Sequence, residues 1–205
     1  MAGAIAWQRI TGLDADAYKL FAPVTSPSTT GLMTAITFFG SSYFLFPAYV
    51  LLTSYFLFAR KNIRLAGDIA IVGLIGNQLL SLMQYVFQRH RPADPLLQNV
   101  TGYSFPSGHS FASFTFFGLV TYIIWQTQLP KVYKIILSVM FFLIASLIAI
   151  SRVYLHVHYA SDVLGGFCLS IMWLLLSLWL LHKIGKKFSG SQNRRNIQKT
   201  NSAKN

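Results

Sequence analysis

Long apolar runs dominate this chain, and short polar joints separate them. Five stretches are mostly apolar over a length near that of a membrane crossing, at residues 32–58, 65–87, 110–125, 132–150 and 163–182. About 20 such residues in a helix cross the roughly 30 Å of a bilayer's hydrocarbon. The pattern therefore predicts an all-α, polytopic transmembrane helix bundle with five spans. The first stretch contains Gly40 and Pro47, which suggests a short interfacial helix ahead of the true span. The third is short unless its polar beginning is helical as well. Three regions follow: an extracytoplasmic or interfacial segment at 1–30, a transmembrane domain at 31–187 and a basic, disordered tail at 188–205.

The joints orient the bundle. Arg60, Lys61 and Arg64 follow the first span, Lys131 and Lys134 separate the third from the fourth, and seven Lys and Arg follow the fifth, from Lys183 to Lys204. With five crossings these basic regions share one side, which the positive-inside rule makes the cytoplasm. The chain is then a multi-pass cell-membrane protein with a cytoplasmic C-terminal tail, able to touch anionic lipid.

Composition supports this picture. Only 11% of residues are charged, there is no Glu, and five Asp oppose 17 Lys and Arg for a net charge of +12. A charge of that size raises nucleic acid as a partner, but the basic residues sit between apolar blocks instead of forming one patch, so no nucleic-acid partner is expected. The single Cys168, inside an apolar run, reads as an inert buried thiol. Oligomeric state leaves no mark on the sequence.

Two opposite joints break the charge rule. One holds Arg89, His90 and Arg91; the other holds Arg152, His156 and His158. Chain parity places both on the outer side, together with the start of the third span. Three segments thus converge there: "QYVFQRHRP" at 84–92, "PSGH" at 106–109 and "SRVYLHVHYASD" at 151–162. Arg91 and Arg152 offer planar, permanently charged forks for phosphate oxygens. Ser107 offers a hydroxyl, and Gly108 lets a backbone N–H approach an anion closely. A helix starting at Pro106 or Ser107 adds the free N–H groups of its first turn. Asp162 lies four residues after His158, so on a helix its carboxylate reaches one ring nitrogen, fixes the tautomer and leaves the other nitrogen free to attack. His109 is then the acid for a leaving oxygen. The chain has no Walker loop, no Ser–His–Asp triad motif and no Cys/His cluster of metal-binding type, and phosphoryl transfer through histidine needs only positioning and charge stabilisation.

These motifs resemble those of the type 2 phosphatidic acid phosphatase superfamily, the membrane lipid phosphate phosphatases. The family pattern is Lys, six residues, then Arg-Pro; later Pro-Ser-Gly-His; later Ser-Arg, five residues, His, three residues, Asp. Arg91-Pro92 fits the end of the first motif, 106–109 fits the second in full, and Ser151, Arg152, His158 and Asp162 fit the third in full. The resemblance covers about residues 30–183. It implies a membrane lipid substrate, a phosphohistidine on His158, orientation by Asp162, and His109 as the acid that later activates water. Arg91, Arg152, Ser107 and the Gly108 amide would hold the phosphoryl oxygens. No metal and no cofactor are implied. Candidate substrates are undecaprenyl diphosphate, phosphatidylglycerol phosphate, phosphatidic acid and a lipid A phosphate.

Two departures stand out. Gln84 occupies the position of the family's Lys, keeping a donor but losing the charge. It reads either as a phosphate ligand or as interhelical glue in a polar stripe with Asn77, Ser81 and Gln88. The family core also has six spans, and the first is absent from the five read here. The rival functions are a lipid phosphotransferase using the same site, a non-catalytic protein that binds or flips lipid phosphates, and a soluble vanadate-dependent haloperoxidase. The membrane-length runs argue against the last.

Overall fold

A computed structural model describes residues 2–98 and 100–202, with side chains described at 12–98 and 100–183. Seven α-helices and no strand occur among the described residues. They are α1 (Ala2–Phe21), α2 (Pro27–Phe38), α3 (Ser42–Ser54), α4 (Ile63–Phe87), α5 (Gly108–Trp125), α6 (Lys131–Tyr154) and α7 (Ala160–Ser202). Local chemistry sets several boundaries. Ser26 and Thr29 form a reciprocal capping box at the start of α2, with Pro27 in its first turn. Asn62 caps α4 by accepting from Leu65 N at 3.0 Å. Helix α4 ends at Gln88, whose φ of 45° turns the chain away. A π-helical turn, Tyr55–Ala59, extends α3.

Among the described residues, four helices or helix pairs are long and apolar enough to cross a membrane: Pro27–Ala59, Ile63–Phe87, Lys131–Tyr154 and Ala160–Lys183. The sequence reading expected five, and the difference is α5. It has 18 residues and starts with Gly108, His109 and Ser110. It also carries buried Ser113 and Thr115. Helix α5 is the central strut, packed against α3, α4, α6 and α7 and so lined by protein more than by lipid, and its Ser113 Oγ and Thr115 Oγ1 have no hydrogen-bond partner among the described residues. The first candidate span breaks at 39–41, between α2 and α3, where an interfacial helix was expected to join the crossing. Helix α7 runs through Ser202. Residues 203–205 lie outside the described residues.

The core forms along α5. Phe116 and Phe117 pack with Leu45 of α3 and with Ala145 and Ile148 of α6. Leu119 and Ile123 pack with Ile69 and Val72 of α4, flanked by Trp173 and Leu174 of α7. Outward faces stay apolar, as at Val139, Leu143 and Leu147 of α6 and Met172, Leu175 and Trp179 of α7, which suits contact with acyl chains. Cys168 belongs to this exposed face and is not buried as the sequence suggested. An apolar run reads the same whether lipid or protein covers it.

The two ends of the bundle differ. At one, Arg64 Nη2 donates to Leu181 O at 3.3 Å, and Lys134 Nζ donates to Trp125 O and Thr127 O at 3.1 and 2.7 Å. The basic joints thus gather at one end, as parity required. At the other end α7 closes tightly on the start of α5. A Cβ on Gly166 would stand 2.7 Å from Ser107 O and 3.1 Å from Phe111 N, both backbone atoms that cannot yield cheaply. Gly67, on α4, has nothing within 4 Å of such a Cβ. Gly166→Ala should therefore destabilise by about 1–3 kcal/mol through overpacking and lower the thermal midpoint in detergent. Gly67→Ala should leave the midpoint unchanged or raise it, adding up to about 1 kcal/mol of stability.

Candidate active site

The three polar segments meet at the end opposite the basic joints. The loop after α4 brings Arg89 and Arg91, the start of α5 brings Ser107 to His109, the end of α6 brings Arg152, the turn after it His158, and the first turn of α7 Asp162. That turn passes through His156 in a left-handed conformation, φ 53°, with its ring 4.5 Å from that of Tyr18 on α1. A non-glycine residue held there is strained and needs surrounding contacts to keep it.

His158 is 1% exposed. Its Nδ1 lies 2.8 Å from the carbonyl oxygen of Ser104, and its Nε2 lies 3.1 Å from Nη1 of Arg91. A carbonyl only accepts and a guanidinium only donates, so the two contacts assign one tautomer. The proton sits on Nδ1 and the lone pair on Nε2. The expected geometry differs in one respect. Asp162 Oδ2 is 3.6 Å from Nδ1, farther than the Ser104 carbonyl, so the carboxylate is not the first acceptor. That oxygen is occupied by the Tyr159 N–H at 2.9 Å and by the Ser104 hydroxyl. Asp162 thereby caps the first turn of α7 and holds Ser104, whose carbonyl holds the ring.

The other carboxylate oxygen, Oδ1, accepts from Arg89 Nη1 at 2.6 Å. Arg89 Nη2 donates to Asp14 Oδ2 at 2.7 Å, and the guanidinium lies 4.0 Å from the centroid of the Tyr159 ring. Burial works against the Arg89 charge, but hydrogen bonds and charges from Asp14 and Asp162 outweigh it and hold its pKa above the ordinary arginine value.

Arg91 is positioned by three carbonyls, those of Thr101, Gly102 and Val157, at 3.1, 3.0 and 2.8 Å. Arg152 is 3% exposed; its Nη1 donates to Thr37 Oγ1 at 2.8 Å, while its buried Nε has no hydrogen-bond partner among the described residues. A buried donor left unmade costs about 1–3 kcal/mol, and an anionic oxygen would relieve it. Ser107 is buried; its N–H donates to Asp162 O at 3.0 Å and its hydroxyl accepts from Ser110 Oγ at 3.1 Å. A Cβ on Gly108 would meet Leu80 and Gln84 at ordinary contact distances, 3.4 and 3.8 Å. Gln84 Nε2 donates to Pro106 O at 3.1 Å, tying α4 to the loop that opens α5. His109 lies on the first turn of α5, within electrostatic reach of Arg152, His158 and Arg91. Its ring packs near Gly40 at the α2–α3 break, 3.2 Å from where a Cβ would sit. Every expected site residue is at this end, and no group of three or more His, Cys, Asp or Glu suited to a metal occurs among the described residues.

A family model, that of the PAP2 superfamily, matches residues 65–186. The chain is 31% identical over 179 residues to phosphatidylglycerophosphatase B of Bacillus subtilis, covering 86% of this chain and 87% of that protein. The chain belongs to the PAP2 superfamily. It is also 28% identical over 173 residues to an undecaprenyl-diphosphatase of Sulfolobus acidocaldarius, covering 82% of this chain and 78% of the relative. Its fold matches the crystal structure of a transmembrane PAP2-type phosphatidylglycerolphosphate phosphatase from Bacillus subtilis, with a TM-score of 0.79 over 89% of this chain and 91% of that one. The crystal structure of LpxE from Aquifex aeolicus matches with a TM-score of 0.60 at 26% identity, over 80% of this chain and 93% of that one.

The PAP2 motifs identified Arg91, 106–109, Arg152, His158 and Asp162, but not the groups behind them. Ser104 acts through a carbonyl, which every residue type has. Asp14 and Tyr18 lie on α1, outside the matched region, where Tyr18 Oη donates to His158 O at 3.0 Å. One signal was present: Asp14 is among only five acids in the chain.

Burial, countered by the nearby Asp162 carboxylate and reinforced by the Arg91 and Arg152 charges, pushes His158 of this PAP2 protein down to about 4 from the ordinary 6.5. Between those values the unfolded chain binds a proton that the folded chain refuses. The contribution of His158 is therefore intact above the unfolded value near 6.5 and is lost as pH falls toward about 4. The thermal midpoint in detergent should fall across that window, and less steeply in His158→Gln.

Proposed function

We propose that this protein is a lipid phosphate phosphatase that works through a phosphohistidine on His158. The observation that carries the reading is the fixed tautomer, with Nδ1–H on the Ser104 carbonyl and the Nε2 lone pair turned toward Arg91. Nε2 attacks phosphorus and forms an N–P bond as the P–O bond to the lipid breaks. Arg91 Nη1 passes from Nε2 to a phosphoryl oxygen in the same step. The Arg152 Nε, the Ser107 hydroxyl and the Gly108 amide hold the remaining oxygens. His109 gives its proton to the leaving oxygen, then takes one from water. That water's oxygen bonds to phosphorus, the N–P bond breaks, and inorganic phosphate leaves with His158 neutral again.

A lipid substrate is supported by the membrane bundle and by the relatives, a phosphatidylglycerophosphatase and an undecaprenyl-diphosphatase. The acyl or isoprenoid chain stays in the bilayer while its headgroup reaches the site. An extracytoplasmic site is supported by the basic joints at the far end, read through the positive-inside rule. No metal takes part in this scheme.

Phosphate release by purified protein, in detergent with EDTA, tests the reading over phosphatidylglycerol phosphate, undecaprenyl diphosphate, phosphatidic acid and a lipid A phosphate. Turnover should persist in EDTA and fall at least about 10³-fold in His158→Ala. Gln84→Lys should raise turnover by up to about tenfold, by returning a charge to the phosphoryl cradle. Turnover surviving in His158→Ala removes the nucleophile, and its loss on chelation removes the metal-free scheme.

A further inference from the structure

Helix α1 lies outside the region matched by the family model, yet it carries a buried acid into the site. Asp14 is 2% exposed. Its Oδ1 accepts from the Ser161 N–H at 2.9 Å, and its Oδ2 accepts from Ser161 Oγ at 2.9 Å and from Arg89 Nη2 at 2.7 Å. A helix has free N–H groups in its first turn, and here a residue 147 positions away in sequence satisfies one of them. Through Arg89, whose Nη1 reaches both Ser161 Oγ and Asp162 Oδ1 at 2.6 Å, the same carboxylate connects to Asp162. From there the contacts run to the Ser104 hydroxyl and, through the Ser104 carbonyl, to the His158 ring.

We propose that Asp14 is a positioning residue of this site: its charge holds the Arg89 fork against Asp162, and so keeps the His158 ring aligned from a helix outside the motif-bearing region. The inference rests on the phosphatase reading above for its kinetic arm. Asp14 touches neither substrate nor His158, so its effect falls on kcat and not on substrate binding. The cost of misplacing a reacting group by about 1 Å reaches about 10²-fold.

A cap and a charge can be separated here. Asn caps a helix about as well as Asp but brings no charge to Arg89. Full-length wild type, Asp14→Asn, Asp14→Glu and Arg89→Lys are compared in detergent for kcat, KM, thermal midpoint and the rise in midpoint caused by orthovanadate, a phosphoryl analogue. Asp14→Asn should lower the midpoint, since a buried ion pair is broken, and keep KM within about threefold, while kcat falls about 10- to 100-fold. The vanadate-induced rise should shrink with it. Asp14→Glu should recover most of the loss. Arg89→Lys, which keeps a charge but not the fork, should show the same split of kcat from KM. Wild-type kcat in Asp14→Asn overturns the proposal and leaves Asp14 as a cap. So does an equal loss in Asp14→Asn and Asp14→Glu. Should Asp14→Asn fail to fold, Arg89→Lys decides: wild-type kcat there overturns the proposal. If wild type releases no phosphate from any lipid tested, the phosphatase reading falls and the vanadate arm decides for Asp14 alone. A rise equal in wild type and Asp14→Asn, or absent from both, overturns the proposal.

Discussion

One imidazole is taken out of water and kept from charging, and the arrangement of this end of the bundle follows from that. His158 is buried with a carbonyl on one nitrogen and a guanidinium on the other. Desolvation alone disfavours imidazolium, and Arg91 and Arg152 add to it. A carboxylate directly on Nδ1 would oppose this by inviting a second proton. Asp162 instead stands at 3.6 Å, behind Ser104, where it steers the ring and offsets the two cations only in part. The result is a neutral ring with a directed lone pair, the state a nitrogen nucleophile requires.

Holding that geometry inside a membrane bundle demands a rigid floor, and α5 supplies it. Its first turn carries His109, while its middle turns pack against α3, α4, α6 and α7. Its hydroxyls face protein more than lipid: Ser110 donates to Ser107 Oγ, while Ser113 and Thr115 are enclosed without a hydrogen-bond partner among the described residues. Gly166 then allows α7 to lie against the Ser107 backbone, so that the Ser107 N–H reaches the Asp162 carbonyl at 3.0 Å. Two motifs far apart in sequence thus share a backbone hydrogen bond as well as a substrate-facing side.

Much of this was legible in the sequence, because a bilayer imposes length and apolarity on every crossing. Span positions, the gathering of the basic joints and the convergence of Arg91, Ser107, His109, Arg152, His158 and Asp162 follow from hydropathy, parity and motif spacing. What stayed hidden has physical reasons. The exposed face of Cys168 was hidden because apolar side chains suit lipid and protein alike. The character of α5 was hidden because a helix enclosed by neighbours need not look like a lipid-facing span. Ser104 was hidden because its decisive atom is a backbone carbonyl. In the sequence Arg89 stood out only as one of the basic residues of an outer joint, whereas its fork binds Asp14 and Asp162. Gln84, open between ligand and glue, donates to the Pro106 carbonyl and so braces the loop that begins α5.

The charges form two layers with the imidazole between them. In front stand Arg91 and Arg152, two cations beside the helix start. Behind stand Asp14, Asp162 and Arg89, whose formal charges leave one net negative unit. Such a separation attracts a phosphoryl anion to the front face. In the proposed phosphohistidine step it would also favour positive charge on the ring as the N–P bond forms, when the proton on Nδ1 and the new bond on Nε2 would make the imidazole cationic. Before that step burial and the front cations hold the ring neutral; during it, the phosphoryl oxygens would screen those cations and the rear carboxylates would gain weight. The pairing of Arg89 with the carboxylates matters for this reason. A third uncompensated cation near His158 would strengthen phosphate binding while opposing the charge the ring must carry. Two carboxylates around one guanidinium keep the rear of the site negative.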